Sequence, residues 1–257
     1  MPNKFLGQNF LVEPAFYPKL VNYAELILSD VVLDVGAGFG FLSKFLVNKC
    51  RSVIAVEKDP KIALVLRQQT CTFTNIVVVE GDVLKLVLPS FNKIIAAPPY
   101  YLSSQLVLFL MKHNVACAVL IVQKEFADRL IAEVGSKDYG WLTVIVNQKA
   151  HIEVFDLVTK DMFYPSPGVD SVIIRIKVRP VPLFTVKDNC FFEQMVKWLF
   201  TERNKKLPNA LEPFIKNALK ICKKDFQKII QKLPYCEMRP RELTPEDFGD
   251  LANAFIN

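Results

Sequence analysis

Histidine is almost absent from the 257 residues, with two in all (His113 and His151), and the six cysteines at 50, 71, 117, 190, 222 and 236 include no C-x-x-C pair. The first scarcity argues against a histidine-built metal site, and no metal is expected. The second leaves reduced thiols, several of them in apolar segments where they pack as small hydrophobes. Nine glycines stand against twenty phenylalanines, and 51% of the chain is hydrophobic, which describes a well-packed soluble protein. Long apolar runs are missing as well. The run Val115–Val122 is far too short to cross a bilayer, and the opening MPNKFLGQNFL lacks the apolar core of a secretory signal. The expectation is a cytosolic protein with no membrane partner.

Charge is unevenly placed. The net charge is +6, yet between Arg203 and Arg241 there are 11 Lys and Arg against three acids, a local +8, so the remainder carries −2. A basic C-terminal quarter can offset phosphate charge, which makes a nucleic-acid partner plausible, while a merely solvated helical face accounts for it equally.

Apolar runs alternate with helical patterns through most of the chain. Strands are expected at Val31–Val35, Ser52–Val56, Asn75–Val79, Lys93–Ala97 and Ala116–Val122, with helices at 15–28, 41–48, 60–69, 103–112 and 125–133. This alternation marks a doubly wound, mostly parallel α/β sheet. The runs His151–Val158 and Ser171–Val178 lie close enough in sequence to pair as an antiparallel addition. After Arg179 the texture becomes helical, with helices at 189–200, 209–219 and 224–232 and a last one opened by Thr244-Pro245-Glu246-Asp247, where Thr caps, Pro takes the first helical position and the acids meet the positive end. Two domains are expected, 1–180 and 181–257.

The densest chemical signal is VLDVGAGFG. Gly36, Gly38 and Gly40 follow a strand, and Glu57 closes the next apolar run roughly 20 residues on, where a carboxylate can grip a ribose diol. Asp82, after the third strand, is placed to accept a hydrogen bond from an adenine amine, although one isolated Asp in such a place is as readily a turn cap. An acid after strand one (Asp34), one ending strand two and one after strand three suit S-adenosylmethionine better than a nicotinamide dinucleotide. The fourth strand runs into IIAAPPYYLSS. A proline pair at a strand end removes backbone donors and stiffens the chain, which suits fixing the Pro98 carbonyl beside an aromatic face, Tyr100, on which a purine can stack.

Taken in order, KFLGQNFL, VLDVGAGFG, Glu57, GDVLKL, PPYYLSS, VQKEFADRL, YGWLTV and FYPSPGVDSVIIRI resemble the KsgA-type ribosomal-RNA adenine dimethyltransferases, and FTERNKKLPNAL and RPRELTPEDF resemble that family's small helical domain. The resemblance implies a Rossmann-like class I methyltransferase with a mostly parallel seven-stranded sheet and a small C-terminal all-helical domain. Its implied activity is S-adenosylmethionine-dependent dimethylation of the exocyclic amines of two adjacent adenosines near the 3′ end of small-subunit rRNA. The implied partner is a pre-ribosomal small subunit, with the enzyme acting as a monomer. Carried over, Gln8, Asn9, Leu11, Gly36, Gly38, Glu57, Lys58, Asp82 and Ala97 are the expected cofactor contacts. Ala97, Pro98, Tyr100 and Phe163 form the expected catalytic pocket, Tyr100 and Phe163 sandwiching the target base. Arg203, Lys205, Lys206, Lys223 and Lys224 are the expected rRNA phosphate contacts.

One departure carries chemistry. The family usually has Asn where this chain has Ala97, and that Asn's oxygen together with the next carbonyl accepts the N–H bonds of the adenine amine as its nitrogen becomes tetrahedral. Loss of one acceptor predicts a deficit on the order of 2–4 kcal/mol in transition-state stabilisation. A ribosome-assembly or RNA-binding factor with weak or no turnover is therefore a rival reading. A DNA adenine methyltransferase is another, because x-Pro-Pro-Tyr resembles that group's motif, and an antibiotic-resistance methyltransferase of large-subunit rRNA is a nearer cousin.

Overall fold

A computed structural model of the chain describes residues 8–113, 115–219, 230 and 233–256. The elements in chain order are β1 (Phe10–Leu11), α1 (Phe16–Tyr23), β2 (Val31–Val35), α2 (Phe41–Leu46), β3 (Ser52–Glu57), α3 (Pro60–Thr70), β4 (Ile76–Glu80), β5 (Lys93–Ala96), α4 (Ser103–Leu110), β6 (Cys117–Gln123), α5 (Lys124–Leu130), α6 (Trp141–Lys149), β7 (Ala150–Val158), β8 (Phe163–Tyr164), β9 (Ser171–Val178), α7 (Asn189–Thr201), α8 (Leu207–Leu219) and α9 (Pro245–Phe255). The helix expected at 224–232 lies outside the described residues.

Seven strands form one sheet in the order β4-β3-β2-β5-β6-β9-β7. The first five are parallel to their neighbours, and β9 runs antiparallel to β6, with Leu120 opposite Ile174. The central strands are rich in Val, Ile, Leu and Ala because helices cover both faces of the sheet; β6 is buried at six of its seven residues. Strand order reverses between β2 and β5, which opens a crevice at their carboxyl ends, the usual ligand position in an open α/β sheet. Gly36 follows β2 and Ala97 follows β5, so both border that crevice. A separate two-stranded ribbon joins β1 to β8, pairing Phe10 with Tyr164 and Leu11 with Phe163.

Local chemistry accounts for the main boundaries. The Asp59 side chain accepts the Lys61 N–H ahead of Pro60 at the start of α3. Thr244 and Asp247 exchange reciprocal bonds at the head of α9, as their spacing predicts. Helix α1 stops at Tyr23, short of the expected 28, because Glu25 takes a positive φ of 49° and Asp30 accepts the Ile27 N–H.

The chain forms two compact units, 8–127 with 151–178, and 128–150 with 179–256. The expected boundary near 180 therefore misassigns residues 128–150. Their helix, α6, is buried from Leu142 to Val146 and packs with α7 and α9. The second unit is tied internally by the Tyr139 hydroxyl donating to the Leu243 carbonyl at 2.8 Å and by the Gly135 N–H donating to the Arg241 carbonyl at 2.9 Å. Among the described residues no helix is long and apolar enough to cross a membrane.

Candidate functional site

The glycine turn leaving β2 sets the site. Gly36 and Gly38 take φ values of 72° and 56°, which L side chains rarely adopt. A Cβ at Gly36 would stand 2.8 Å from the Pro99 ring, and one at Gly38 would stand 2.8 Å from the ring of Phe10. The turn is thus pressed between β1 and the proline pair. The Gly38 N–H donates to Glu57 Oε2 at 2.9 Å, and the Asp59 N–H donates to Glu57 Oε1 at 2.9 Å, so the glutamate at the end of β3 is held rigidly with spare acceptor lone pairs.

Three cavities meet here. The first, about 40 Å³, is lined by Gln8, Asn9, Gly36, Glu57, Lys58, Asp82 and Ala97, with apolar walls from Val35, Val56, Val83 and Leu102. The second, also about 40 Å³, adds Leu11, Asp34, Phe39 and Phe41. The third is a closed cleft without room for a water, formed by Asn9, Ala97, Pro98, Pro99, Tyr100, Ile121 and Phe163, so a base enters it only when a wall moves. Asn9 and Ala97 line all three. Fixed carboxylates with apolar walls between them suit a nucleoside, whose ribose and exocyclic amine donate hydrogen bonds while its ring stays dry.

Each expected cofactor residue except Leu11 and Gly38 borders the first cavity. Leu11 borders the second and pairs with Phe163, and Gly38 acts through its N–H on Glu57. Gln8 is also anchored, donating to Asp59 Oδ2 at 3.3 Å. Asp82 combines both readings open for it. Its Oδ1 accepts the Leu84 N–H at 3.1 Å, as a turn cap does, while Oδ2 pairs with the Lys58 ammonium at 3.1 Å within the cavity wall. Burial opposes its charge, but the Leu84 N–H and Lys58 outweigh that and hold the carboxyl below its usual range.

Asp34 differs from expectation. It lies within β2 and not after it, 1% exposed, and accepts the Ser43 hydroxyl at 2.7 Å. Burial pushes its carboxyl up to about 7 against the lowering effect of Ser43, with Glu57 adding to the rise.

The aromatic pair also departs from a ready-made sandwich. Tyr100 and Phe163 stand edge to face, with centroids 6.5 Å apart and planes at 71°. The Tyr100 hydroxyl shares a 2.7 Å hydrogen bond with Ser171, which fixes that ring, so a base stacked between the two requires Phe163 to turn.

Sequence reasoning did not single out Tyr101 and Leu102 of the first cavity or Phe10, Phe39 and Phe41 around the glycine turn. Phe10 was legible as the centre of QNFL. Nothing local distinguishes Tyr101 from Tyr100; the single helical turn that follows Pro99 sends them to different cavities.

The basic candidates belong to the second unit. Arg203 donates to the carbonyls of Ser136 and Lys137 at 3.0 and 3.1 Å, Lys205 pairs with Glu202 at 2.9 Å and Lys206 with Glu237 at 2.6 Å. Lys223 and Lys224 lie outside the described residues. The Lys205 and Lys206 pairs are more than half exposed on the lysine side, and such pairs hold too weakly to prevent an exchange for phosphate.

Comparison with known proteins agrees with this geometry. The family model described as ribosomal RNA adenine dimethylase matches residues 2–239. Two relatives named probable ribosomal RNA small subunit methyltransferase A are similar over 252 residues. That of Methanosarcina mazei is 38% identical, covering 97% of this chain and 92% of its own, and that of Methanosarcina barkeri is 39% identical, covering 97% and 86%. Among solved structures, a dimethyladenosine transferase from Plasmodium falciparum superposes with a TM-score of 0.81 at 28% identity, covering 94% of this chain and 95% of that one. The 23S rRNA methyltransferase ErmE gives 0.69 at 27%, covering 97% and 100%.

Proposed function

From the premise that this chain belongs to the ribosomal RNA adenine dimethylase family, we propose how its three cavities share one reaction. The chain is an rRNA adenine dimethyltransferase that uses S-adenosylmethionine and acts on small-subunit rRNA. When bound, S-adenosylmethionine supplies an electrophilic methyl group on a sulfonium. Glu57 holds ribose hydroxyls, Asp82 accepts from the adenine amine, and Gly36 lets the backbone approach closely, with Gln8, Asn9, Leu11 and Lys58 completing the grip. Tyr100 and the turned Phe163 stack the target adenine in the smallest cavity. The Pro98 carbonyl accepts an N–H of its amine, and alignment of amine and methyl group does most of the work.

The observation that carries this reading is that Asn9 and Ala97 border all three cavities, so donor and acceptor converge at the end of β5. Arg203, Lys205, Lys206, Lys223 and Lys224 position rRNA phosphates. We further read the substrate as a pre-ribosomal small subunit in the cytoplasm and the chain as a monomer. The test is transfer of labelled methyl groups to undermethylated small subunits against duplex DNA, beside calorimetry with S-adenosylhomocysteine. Methylation of the subunit with cofactor-product binding supports the reading; preference for duplex DNA or absence of binding overturns it. A second reading, a subunit-assembly factor with weak turnover, is favoured by one residue, Ala97, which offers no side-chain acceptor.

A further inference from the structure

We propose that an aromatic row on the outer face of the β1–β8 ribbon, running from Tyr164 through Phe10 and Phe39 to Phe41, stacks the unpaired nucleotides that flank the target base. This rests on the methyltransferase reading and extends it to how the RNA strand lies outside the pocket.

Among the described residues the most exposed Phe, Tyr and Trp side chains are Phe41, Tyr101 and Tyr164, at 49%, 50% and 65%. Phe41 lines the second cavity and Tyr101 the first, while Tyr164 lies next to Phe163 of the third on the same short strand. Exposed rings set at and beside one group of cavities suit a ligand with flat faces.

The ribbon geometry sorts them. Successive residues of a strand point to opposite faces. Phe163 is 5% exposed and its partner Leu11 7%, both turned into the core, whereas Tyr164 and its partner Phe10 share the other face. Phe10 meets Phe39 with centroids 4.8 Å apart, and Phe39 meets Phe41 at 6.3 Å. One strand therefore offers Phe163 to a base drawn inward and Tyr164 to a neighbour left outside. At the far end the Lys44 ammonium lies 5.3 Å from the centre of the Phe41 ring, a cation beside a stacking face, which matches the alternation of base and phosphate along an RNA strand. Stacking on a ring face reads no sequence, so the site is expected to tolerate any unpaired base and to reject duplex, whose bases are already stacked.

The test uses the full-length protein and a short unpaired oligoadenylate carrying 2-aminopurine, with the same strand in duplex as competitor. Tyr164→Ala is expected to weaken single-strand binding by about 5- to 150-fold and to restore 2-aminopurine fluorescence, while Tyr164→Phe stays within about twofold of the parent and Tyr164→Leu behaves as Ala. Phe41→Ala is expected to act in the same direction. The proposal is overturned if Tyr164→Ala binds like the parent, if Leu serves as well as Phe, if duplex competes equally, or if Tyr164→Ala instead dissociates a dimer without touching RNA affinity. S-adenosylhomocysteine calorimetry on the same samples separates the two levels. Intact cofactor-product binding with unchanged RNA affinity in Tyr164→Ala removes the stacking row alone; a parent protein that binds neither S-adenosylhomocysteine nor the oligonucleotide removes the methyltransferase reading with it.

Discussion

Restoring a carboxamide at position 97 tests the chemistry of the pocket directly. Ala97 follows β5, is half-buried, and borders all three cavities, so the atoms added by Ala97→Asn lie at the junction where the cavities meet. In the parent, position 97 itself offers only its backbone carbonyl as an acceptor. One further acceptor that strengthens as the nitrogen becomes tetrahedral is worth about 2–4 kcal/mol, which corresponds to a rise in kcat of about 30- to 1000-fold. Glu57 keeps its two N–H partners in either form, so S-adenosylhomocysteine affinity should change by less than about threefold. The assay is single-turnover transfer of labelled methyl groups to undermethylated small subunits at saturating cofactor and subunit, with calorimetry alongside. A revertant no faster than an active parent refutes the acceptor argument. If both chains bind the subunit and neither transfers a methyl group, the assembly-factor reading takes its place.

Glu57→Gln replaces one of two oxygens that accept N–H groups at 2.9 Å with a donor, and should cost about 1.5–3 kcal/mol in denaturant unfolding together with at least about tenfold in S-adenosylhomocysteine affinity; unchanged affinity contradicts the assigned role. Asp34, raised to about 7 by burial, keeps a proton in the folded chain that the unfolded chain releases near pH 4, so its ionisation makes stability fall from about pH 4 to about pH 7 and level off above. Asp34→Asn should flatten that window and be the more stable form at about pH 8, by up to about 4 kcal/mol, and parallel pH profiles of the two proteins would refute this. Gly38→Ala forces an L residue to a φ of 56° and a Cβ to 2.8 Å from Phe10, so a loss of about 1–2 kcal/mol and weaker cofactor-product binding are expected, read by thermal melting and calorimetry. In the second unit, Tyr139→Phe leaves the Leu243 carbonyl without its 2.8 Å donor and should cost about 1–3 kcal/mol in urea unfolding.

The parallel sheet was legible because β2 to β5 are apolar runs closed within two residues by a glycine, a proline or an acid, signals that act locally. Helix α6 was not. Leu142 to Val146 are buried on every side, so no polar face marks a helical period, and Thr-Val-Ile-Val has the composition of a strand. Missing that helix displaced the domain boundary, since the segment expected to stay with the sheet packs with α7 and α9. Glu57 and Asp82 were legible as carboxylates at strand ends. Tyr101 was hidden by its neighbour, because two adjacent tyrosines carry no local sign of which cavity each faces.

The positions of the strands along the chain, the glycine bend and the acids at the strand ends were determined by the amino-acid sequence alone, because period, backbone freedom and side-chain charge are properties of a few adjacent residues. Tertiary structure decided what depends on distant segments meeting. It brought Asn9 and Ala97 to one junction, turned Phe163 inward and Tyr164 outward through pairing with β1, and withdrew Asp34 from water so that its carboxyl titrates near neutrality. Desolvation and cavity shape are sums over every atom that surrounds a group, and most of those atoms come from elsewhere in the chain.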